Sequence, residues 1–272
     1  MKQRATPLRL DAEVLENRAE GGRSFRMRLA APGWPGAEPG QFAMLSPGAR
    51  SGAERYDPLL PRPMAVYRTL ASGSAPSVEI LYKATGRGTQ LLAETRPGDR
   101  VRLVGPLGAG FPLPPPGARA ILVGGGTGIA SLYELAARAR TRGPVAVLLG
   151  ARSADDLMGR DDFAALGVSL EVATEDGSDG RRGLATELLE AALGEGRDDC
   201  VYACGPTPMM RRAAELAAAH HRRCFVSLEN HMACGFGVCL GCAVPSAAGG
   251  FALVCRDGPV LEAAAVAWAG VP

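Results

Sequence analysis

Arg119-Ala120-Ile121-Leu122-Val123-Gly124-Gly125-Gly126-Thr127-Gly128-Ile129-Ala130 is the stretch on which the fold turns. Arg119–Val123 reads as a buried strand that runs into a glycine turn, and a helix through Arg140 follows with Leu132, Leu135 and Ala139 on one face. In this order a dinucleotide motif has physical meaning. Glycines let the backbone approach a pyrophosphate closely, and free N–H groups at the next helix receive its charge. The turn is not a strict GxGxxG, so it marks Gly125, Gly126, Thr127 and Gly128 as candidate binding residues rather than a full fingerprint.

Toward the C-terminus the alternation repeats. Val145–Gly150, Val168–Ala173 and Val201–Cys204 read as strands, with helices over Ala154–Leu166, Gly183–Leu193 and Thr207–His220. Such a pattern predicts a parallel, doubly wound sheet, whose ligands bind at the carboxyl ends of strands. That rule adds Gly150-Ala151-Arg152 and Cys204-Gly205-Pro206, although Cys204 reads equally as a small core residue. Cys200 and Cys224 read as plain buried cysteines, and His220 and His221 as surface residues closing a helix. The three histidines form no acid–base constellation, and no catalytic side chain is assigned.

Upstream, Pro112–Gly117 is a stiff linker. Before it come short strands: Leu8–Val14, Ser24–Leu29, Gln41–Leu45, Met64–Arg68, Val78–Lys83 and Arg100–Gly105. Separated by Gly/Pro turns, they predict a small antiparallel barrel. One helix opens at Gly88-Thr89 and ends at Arg96-Pro97-Gly98-Asp99. Arg62-Pro63-Met64-Ala65 puts a planar guanidinium at a strand start, suited to a diphosphate. Gly86-Arg87-Gly88-Thr89 puts glycines and a hydroxyl at a helix N-terminus, where an anion is favoured. Each has an ordinary alternative, a strand-start arginine and a helix N-cap. With Leu81, Tyr82 and Lys83 they make the candidate flavin-binding set.

At the C-terminal end stands Glu229-Asn230-His231-Met232-Ala233-Cys234-Gly235-Phe236-Gly237-Val238-Cys239-Leu240-Gly241-Cys242. Cys234, Cys239 and Cys242 have the plant-type C-x4-C-x2-C spacing of [2Fe–2S] proteins, and Cys255 supplies a fourth thiolate. Gly235, Gly237 and Gly241 allow a loop whose N–H groups point at sulfides. Buried apolar cysteines, a disulfide pair and structural zinc are the other readings. Zinc usually takes two separated CxxC-like pairs, which this loop lacks.

Composition sets the outer bounds. At 272 residues the chain has room for two or three domains. A formal net charge of +2, scattered arginines and few aromatics give no sign of a nucleic-acid binder. Seven cysteines, an odd number, argue for a reducing compartment. Met1-Lys2-Gln3-Arg4 lacks a signal peptide's apolar run, and no stretch approaches the ~18 apolar residues of a membrane span. A soluble, cytoplasmic protein is expected.

Taken in order, Arg62-Pro63, Gly88-Thr89, Gly-Gly-Gly-Thr-Gly-Ile, Cys-Gly-Pro and the cysteine loop with its late partner are a distinctive series. The chain resembles the ferredoxin–NADP reductase superfamily with a C-terminal [2Fe–2S] domain. Within it, nearly the whole chain is similar to electron-transfer subunits of class 1B dihydroorotate dehydrogenases. Ser227–Gly235 and Val254–Val260 carry that likeness most specifically. The resemblance implies an FAD-binding barrel over 1–112, an NAD-binding α/β domain over 118–226 and a [2Fe–2S] domain over 227–272. It also implies an FMN-containing dihydroorotate dehydrogenase catalytic subunit as partner, in a heterotetramer. Electrons from dihydroorotate are then expected to reduce NAD+.

Related subunits of sulfhydrogenase or ferredoxin–NADP transhydrogenase type share the cofactor motifs and stay open, as does a non-enzymatic zinc module. Three positions depart from the superfamily's pattern. Ala65 stands where an Arg-x-x-Ser motif usually places a hydroxyl near the flavin N5. Twelve residues separate Cys242 from Cys255, a shorter gap than in plant ferredoxins. Arg152 suits a 2′-phosphate, which leaves NADP open beside NAD.

Overall fold

Two seven-stranded sheets and a small hairpin make up the computed structural model, which describes residues 6–48, 57–72, 75–194 and 198–272. Met1–Arg4, used above to argue against a signal peptide, lie outside the described residues. The first sheet contains β1 (Leu8–Gly21), β2 (Ser24–Ala30), β3 (Phe42–Pro47), β4 (Arg62–Ala65), β5 (Arg68–Ser72), β6 (Ala75–Lys83) and β7 (Arg100–Leu107). It is antiparallel, in the order β4-β3-β7-β1-β2-β6-β5, and curls as a half-barrel. Met27, Leu29, Val78, Ile80, Val101 and Leu103 fill its interior, each fully buried. Burial of such side chains contributes roughly 1.5–3 kcal/mol apiece. Helix α1 (Arg87–Ala93) adds Leu92 to the same core.

The second sheet holds β8 (Arg119–Gly125), β9 (Val145–Ala151), β10 (Ser169–Thr174), β11 (Arg181–Arg182), β12 (Asp199–Cys204) and β13 (Arg223–Ser227). These are parallel, in the order β11-β10-β9-β8-β12-β13. Along β8, Ala120 and Leu122 face one way, packing with the helices α2 (Tyr133–Ala139) and α3 (Arg160–Ala165). Ile121 and Val123 face the other, against α4 (Ala185–Ala192) and α5 (Thr207–Ala219). The sheet is therefore covered on both faces, and its near-continuous apolar strands follow from that. Successive strands run outward from β8 in one direction through β9 to β11, and in the other through β12 and β13. The strand order reverses between β8 and β12, the place where such sheets bind ligands.

The remaining residues close over both sheets. β14 (Ala243–Pro245) and β15 (Phe251–Leu253) pair as a hairpin, and β16 (Val260–Glu262) adds antiparallel to β13. Met232, Cys242, Val254 and Cys255 share one core with Met44 and Leu107 of the first sheet and Val226 of the second. Among the described residues, no helix is long and apolar enough to cross a membrane.

Several elements differ from the sequence expectation for local reasons. The glycine turn opens a 3-10 segment, Gly126–Ser131, before α2 begins, so no α-helix starts at the glycines themselves. The helix expected over Ala154–Leu166 breaks at Gly159, whose φ is +67°. The strand expected over Met64–Arg68 divides at Val66 and Tyr67. Their N–H groups cross to the carbonyls of Gln41 and Glu79 on opposite sides of the sheet.

Candidate functional site

Arg62 and Gly88, 26 positions apart in the sequence, meet in space. The Arg62 guanidinium lies directly over Gly88, where an added Cβ would stand 2.7 Å from Nε and 2.9 Å from Cζ. One Arg62 nitrogen donates to the carbonyl of Leu60 at 2.6 Å, leaving further N–H donors on a planar fork. The Thr89 hydroxyl accepts from the N–H groups of Thr85 and Gly86, both at 3.0 Å, and donates to the Gly86 carbonyl. It is engaged by the cap, the ordinary reading of that residue.

A cleft of about 390 Å3 opens beside this pair. The antiparallel sheet contributes Pro63, Met64, Ala65, Leu81, Tyr82 and Lys83, and α1 contributes Thr89. Thr127, Ser131 and Cys204 close it from the parallel sheet, and Glu229, Asn230 and Met232 from the segment before the cysteine loop. Cys204 satisfies both of its readings. It is 1% exposed, donates to the Ser227 carbonyl at 3.4 Å, and still touches the cleft. Burial and the nearby Glu229 charge push its thiol up to about 12, so it stays protonated at neutral pH.

Glu229 is a cleft residue that motif reading missed. It reaches solvent along the cleft, yet enough protein surrounds the carboxyl for burial to raise its pKa, against a hydrogen bond from Thr127. The one signal in the sequence was its place inside Ser227–Gly235.

A second cleft, about 450 Å3, opens on the other side of the glycine turn. It is lined by Gly125, Gly126, Gly150, Ala151 and Arg152 at strand ends, and by Pro206 and Met209 at the start of α5. The turn after β8 and the turn after β12 are in contact: a Cβ on Gly128 would stand 2.3 Å from the Cys204 carbonyl and 2.4 Å from Gly205 N. Gly126 differs. Its φ is +55°, and the space where a Cβ would stand is open. Lys83 lines both clefts, so the two lie side by side. The sequence grouped Thr127 and Cys204 with the nucleotide residues, but both line the first cleft.

The four cysteines come in two pairs. Cys242 and Cys255 are 1% and 2% exposed with sulfurs 3.2 Å apart, and the Cys255 N–H donates to Cys242 Sγ at 3.4 Å. Cys234 and the exposed Cys239 face each other at the surface. Burial works to raise the Cys234 thiol, but N–H groups of Cys239, Phe236 and Val238 overcome it and hold it at about 6. Gly235 and Gly237, at φ +84° and +86°, shape the loop that points those groups inward. A Cβ on Gly235 would stand 2.6 Å from Met44 Cγ, so the loop is seated on β3.

Among the described residues, no three His, Cys, Asp or Glu side chains converge to hold one ion. Two thiol pairs fit two irons, each taking two thiolates, better than a single tetrahedral zinc. All seven cysteines are free thiols in this structure.

Comparison with known proteins bears directly on this arrangement. Residues 122–215 match the family model for the oxidoreductase NAD-binding domain, and 229–267 that for the iron-sulfur cluster binding domain of dihydroorotate dehydrogenase B. The electron transfer subunit of dihydroorotate dehydrogenase B (NAD(+)) from Bacillus caldolyticus is 42% identical over 234 residues, 84% of this chain and 86% of that one. The probable subunit of the same name from Methanopyrus kandleri is 40% identical over 252 residues, 92% and 89% of the two chains. The chain belongs to the family of dihydroorotate dehydrogenase B electron transfer subunits.

Solved structures agree with the fold. A chain of the NADH-dependent reduced ferredoxin–NADP oxidoreductase, studied for flavin-based electron bifurcation, superposes with TM-score 0.82 at 28% identity. It covers 99% of this chain and 92% of its own length. A Neisseria gonorrhoeae ferredoxin NADP+ reductase with bound FAD and NADP superposes at TM-score 0.62 and 18% identity, over 80% and 92% of the two chains, a likeness of fold. The cysteine-loop and NAD-binding matches fall on this one chain.

Proposed function

We propose that this chain is the electron transfer subunit of an NAD-linked dihydroorotate dehydrogenase of pyrimidine biosynthesis, working with a separate FMN-containing catalytic subunit. It is an oxidoreductase subunit whose cofactors are FAD, a [2Fe–2S] cluster and NAD. One observation carries the reading: flavin-site residues of β4 and β6, the switch-point residues Thr127 and Cys204, and the segment leading into the cysteine loop wall a single cleft. When bound, nicotinamide would take or give electrons as a hydride, the cluster would carry them singly, and flavin would exchange both ways.

The chain's own residues orient and insulate. Arg62, seated over Gly88, would hold a diphosphate, and Leu81 and Tyr82 wall the cleft. The open face at Gly126 admits a pyrophosphate, with Gly125, Gly128, Gly205 and Pro206 fixing that turn. Cys234, Cys239, Cys242 and Cys255 are the cluster ligands. Ala65 supplies no hydroxyl to the flavin, so any such donor comes from elsewhere in the cleft wall. We propose three domains, 1–112, 118–226 and 227–272, and a cytoplasmic heterotetramer. Phe236, Val238 and Leu240, 58%, 73% and 60% exposed beside the cysteines, are where we place the partner's docking face.

The test is to co-purify the chain with its FMN-containing partner and assay flavin, iron, sulfide and dihydroorotate-dependent NAD+ reduction. Stoichiometric FAD, equal iron and sulfide, and activity that needs both subunits are expected. A colourless chain carrying zinc contradicts the reading. The TM-score of 0.82 to a chain of a ferredoxin–NADP oxidoreductase gives a related subunit serving another partner some support. That alternative predicts ferredoxin-dependent NAD+ reduction and none from dihydroorotate.

A further inference from the structure

Asp162, on α3, lies outside both clefts yet joins the two sheets that wall them. Three donors of the antiparallel sheet converge on its carboxylate. Arg26 donates to Oδ2 at 2.5 Å, the Tyr67 hydroxyl to the same oxygen at 2.8 Å, and Arg68 to Oδ1 at 3.3 Å. Within their own sheet, Glu20 accepts from Arg26, and Glu79 from both guanidinium groups. One sheet therefore builds a socket and the other fills it. Arg26 and Tyr67 are buried, so without the carboxylate their polar groups would lose a partner where water barely replaces it.

Apolar packing follows the same seam. Tyr67 and Leu81 leave the core of their own sheet and are buried with Leu132, Met158 and Phe163 of the parallel one. The Tyr67 ring lies 4.7 Å from that of Tyr133. Gly159 opens the way: its φ is +67°, and a Cβ there would stand 2.8 Å from the Tyr67 hydroxyl. Two strands lead from this seam to the first cleft. Ala65 comes two residues before Tyr67, Leu81 two residues after Glu79, and both wall the cleft. Thr127, Ser131 and Cys204 wall it from the other sheet. The seat of α3 thus sets how the two walls face each other. Lys83 to Asp156, at 2.8 Å, and Arg138 to the Ala37 carbonyl, at 2.6 Å, also cross the seam, but neither gathers several donors on one acceptor.

We infer that Asp162 is a positioning residue for hydride transfer: seated among Arg26, Arg68 and Tyr67, it fixes the nucleotide-binding sheet against the flavin-binding sheet. This rests on the proposed function, in which NADH gives up a hydride and the flavin receives it. A misplacement of about 1 Å caused far from the chemistry can cost on the order of a hundredfold in rate. A residue that only stabilises the fold costs nothing once the protein is folded.

The test compares the native chain with Asp162→Ala and Tyr67→Phe, each carrying its native cofactors and assayed well below its unfolding midpoint. Two quantities are read. The first is hydrogen exchange at the Thr69 N–H, which donates across the seam to Glu134 Oε1 at 3.2 Å. It is compared with the β8–β9 ladder, which reports global unfolding. The second is the rate of flavin reduction at saturating NADH, by stopped flow. Asp162→Ala is expected to speed Thr69 exchange beyond any change in the ladder. It should also slow reduction by about ten- to a hundredfold, with flavin content and half-saturating NADH close to native. Tyr67→Phe should move both in the same direction by less, and carries the test alone if Asp162→Ala does not fold.

A native rate in every variant that folds overturns the inference, whatever stability is lost, because Asp162 then only holds the sheets together. A slower rate with Thr69 exchange unchanged relative to the ladder also overturns it, since the effect would not pass through the seam. If NADH does not reduce the native chain, the proposed function fails first and the inference with it.

Discussion

Single glycines separate what is structural in this molecule from what serves a ligand. Gly128 has no room for a methyl group, because the Cys204 carbonyl occupies that space. Gly128→Ala is expected to destabilise the fold by about 1–3 kcal/mol through overpacking, read as a lower midpoint in thermal unfolding. Gly126 faces open space in a left-handed conformation. Gly126→Val should therefore weaken nucleotide binding and slow flavin reduction by NADH, with bound FAD and cluster retained. Stopped-flow reduction at the native rate and affinity would show that this turn only shapes the fold. Arg62 is argued the same way. On the proposed assignment, Arg62→Ala removes a charge-assisted bond to a diphosphate worth roughly 1.5–3 kcal/mol, about ten- to a hundredfold in Kd for FAD. Flavin content after long dialysis measures it, and unchanged occupancy counts against the assignment.

At the scale of elements, a polar network fastens the antiparallel sheet to α3. Arg26, 4% exposed on β2, donates to Glu20 at 2.6 Å, Glu79 at 3.1 Å and Asp162 at 2.5 Å. Asp162 also accepts from the Tyr67 hydroxyl at 2.8 Å and from Arg68 at 3.3 Å, and Arg68 bonds Glu79 as well. Removing one member leaves buried charge unpaired, which typically costs about 3–5 kcal/mol. Asp162→Ala is expected near the low end, since that side chain is 22% exposed; urea midpoints measure it.

Burial works to raise the Asp162 carboxyl, but hydrogen bonds from Arg26 and Tyr67 and the charges of Arg26 and Arg68 hold it below its usual value. A lowered folded pKa contributes stability above the unfolded value of about 3.9, and this is lost as pH falls further through the folded value. The stability gap between native protein and Asp162→Asn should thus shrink below about pH 4 and stay constant above it.

None of this network was legible in the sequence, because its bonded partners lie up to 136 residues apart and follow no local period. The parallel strands were legible, because β8, β9 and β12 are apolar runs bounded by glycine. β13 was not assigned, because Arg223-Cys224-Phe225-Val226-Ser227 is short and directly follows a helix. The meeting of Arg62 with Gly88 and the place of Glu229 depend on how the sheets dock, which no local pattern encodes.

The whole molecule places the cysteine loop against the antiparallel sheet and next to the cleft proposed for flavin, with apolar side chains exposed around it. Cys239 is the proposed ligand through which the loop's role can be isolated. It is exposed and outside the shared core, whereas Cys242 and Cys255 are packed within it and Gly235 is pressed on Met44. A serine alcohol is a harder, less acidic ligand than a thiolate, so Cys239→Ser should lose the cluster and leave both sheets folded. The most direct measurement is a pair of assays on one such preparation, confirmed to lack the cluster: anaerobic FAD reduction by NADH, and dihydroorotate-dependent NAD+ reduction in the complex with the catalytic subunit. The first is expected to persist and the second to fall by orders of magnitude. If both survive at native rates, the cysteine loop is not the path between the two subunits.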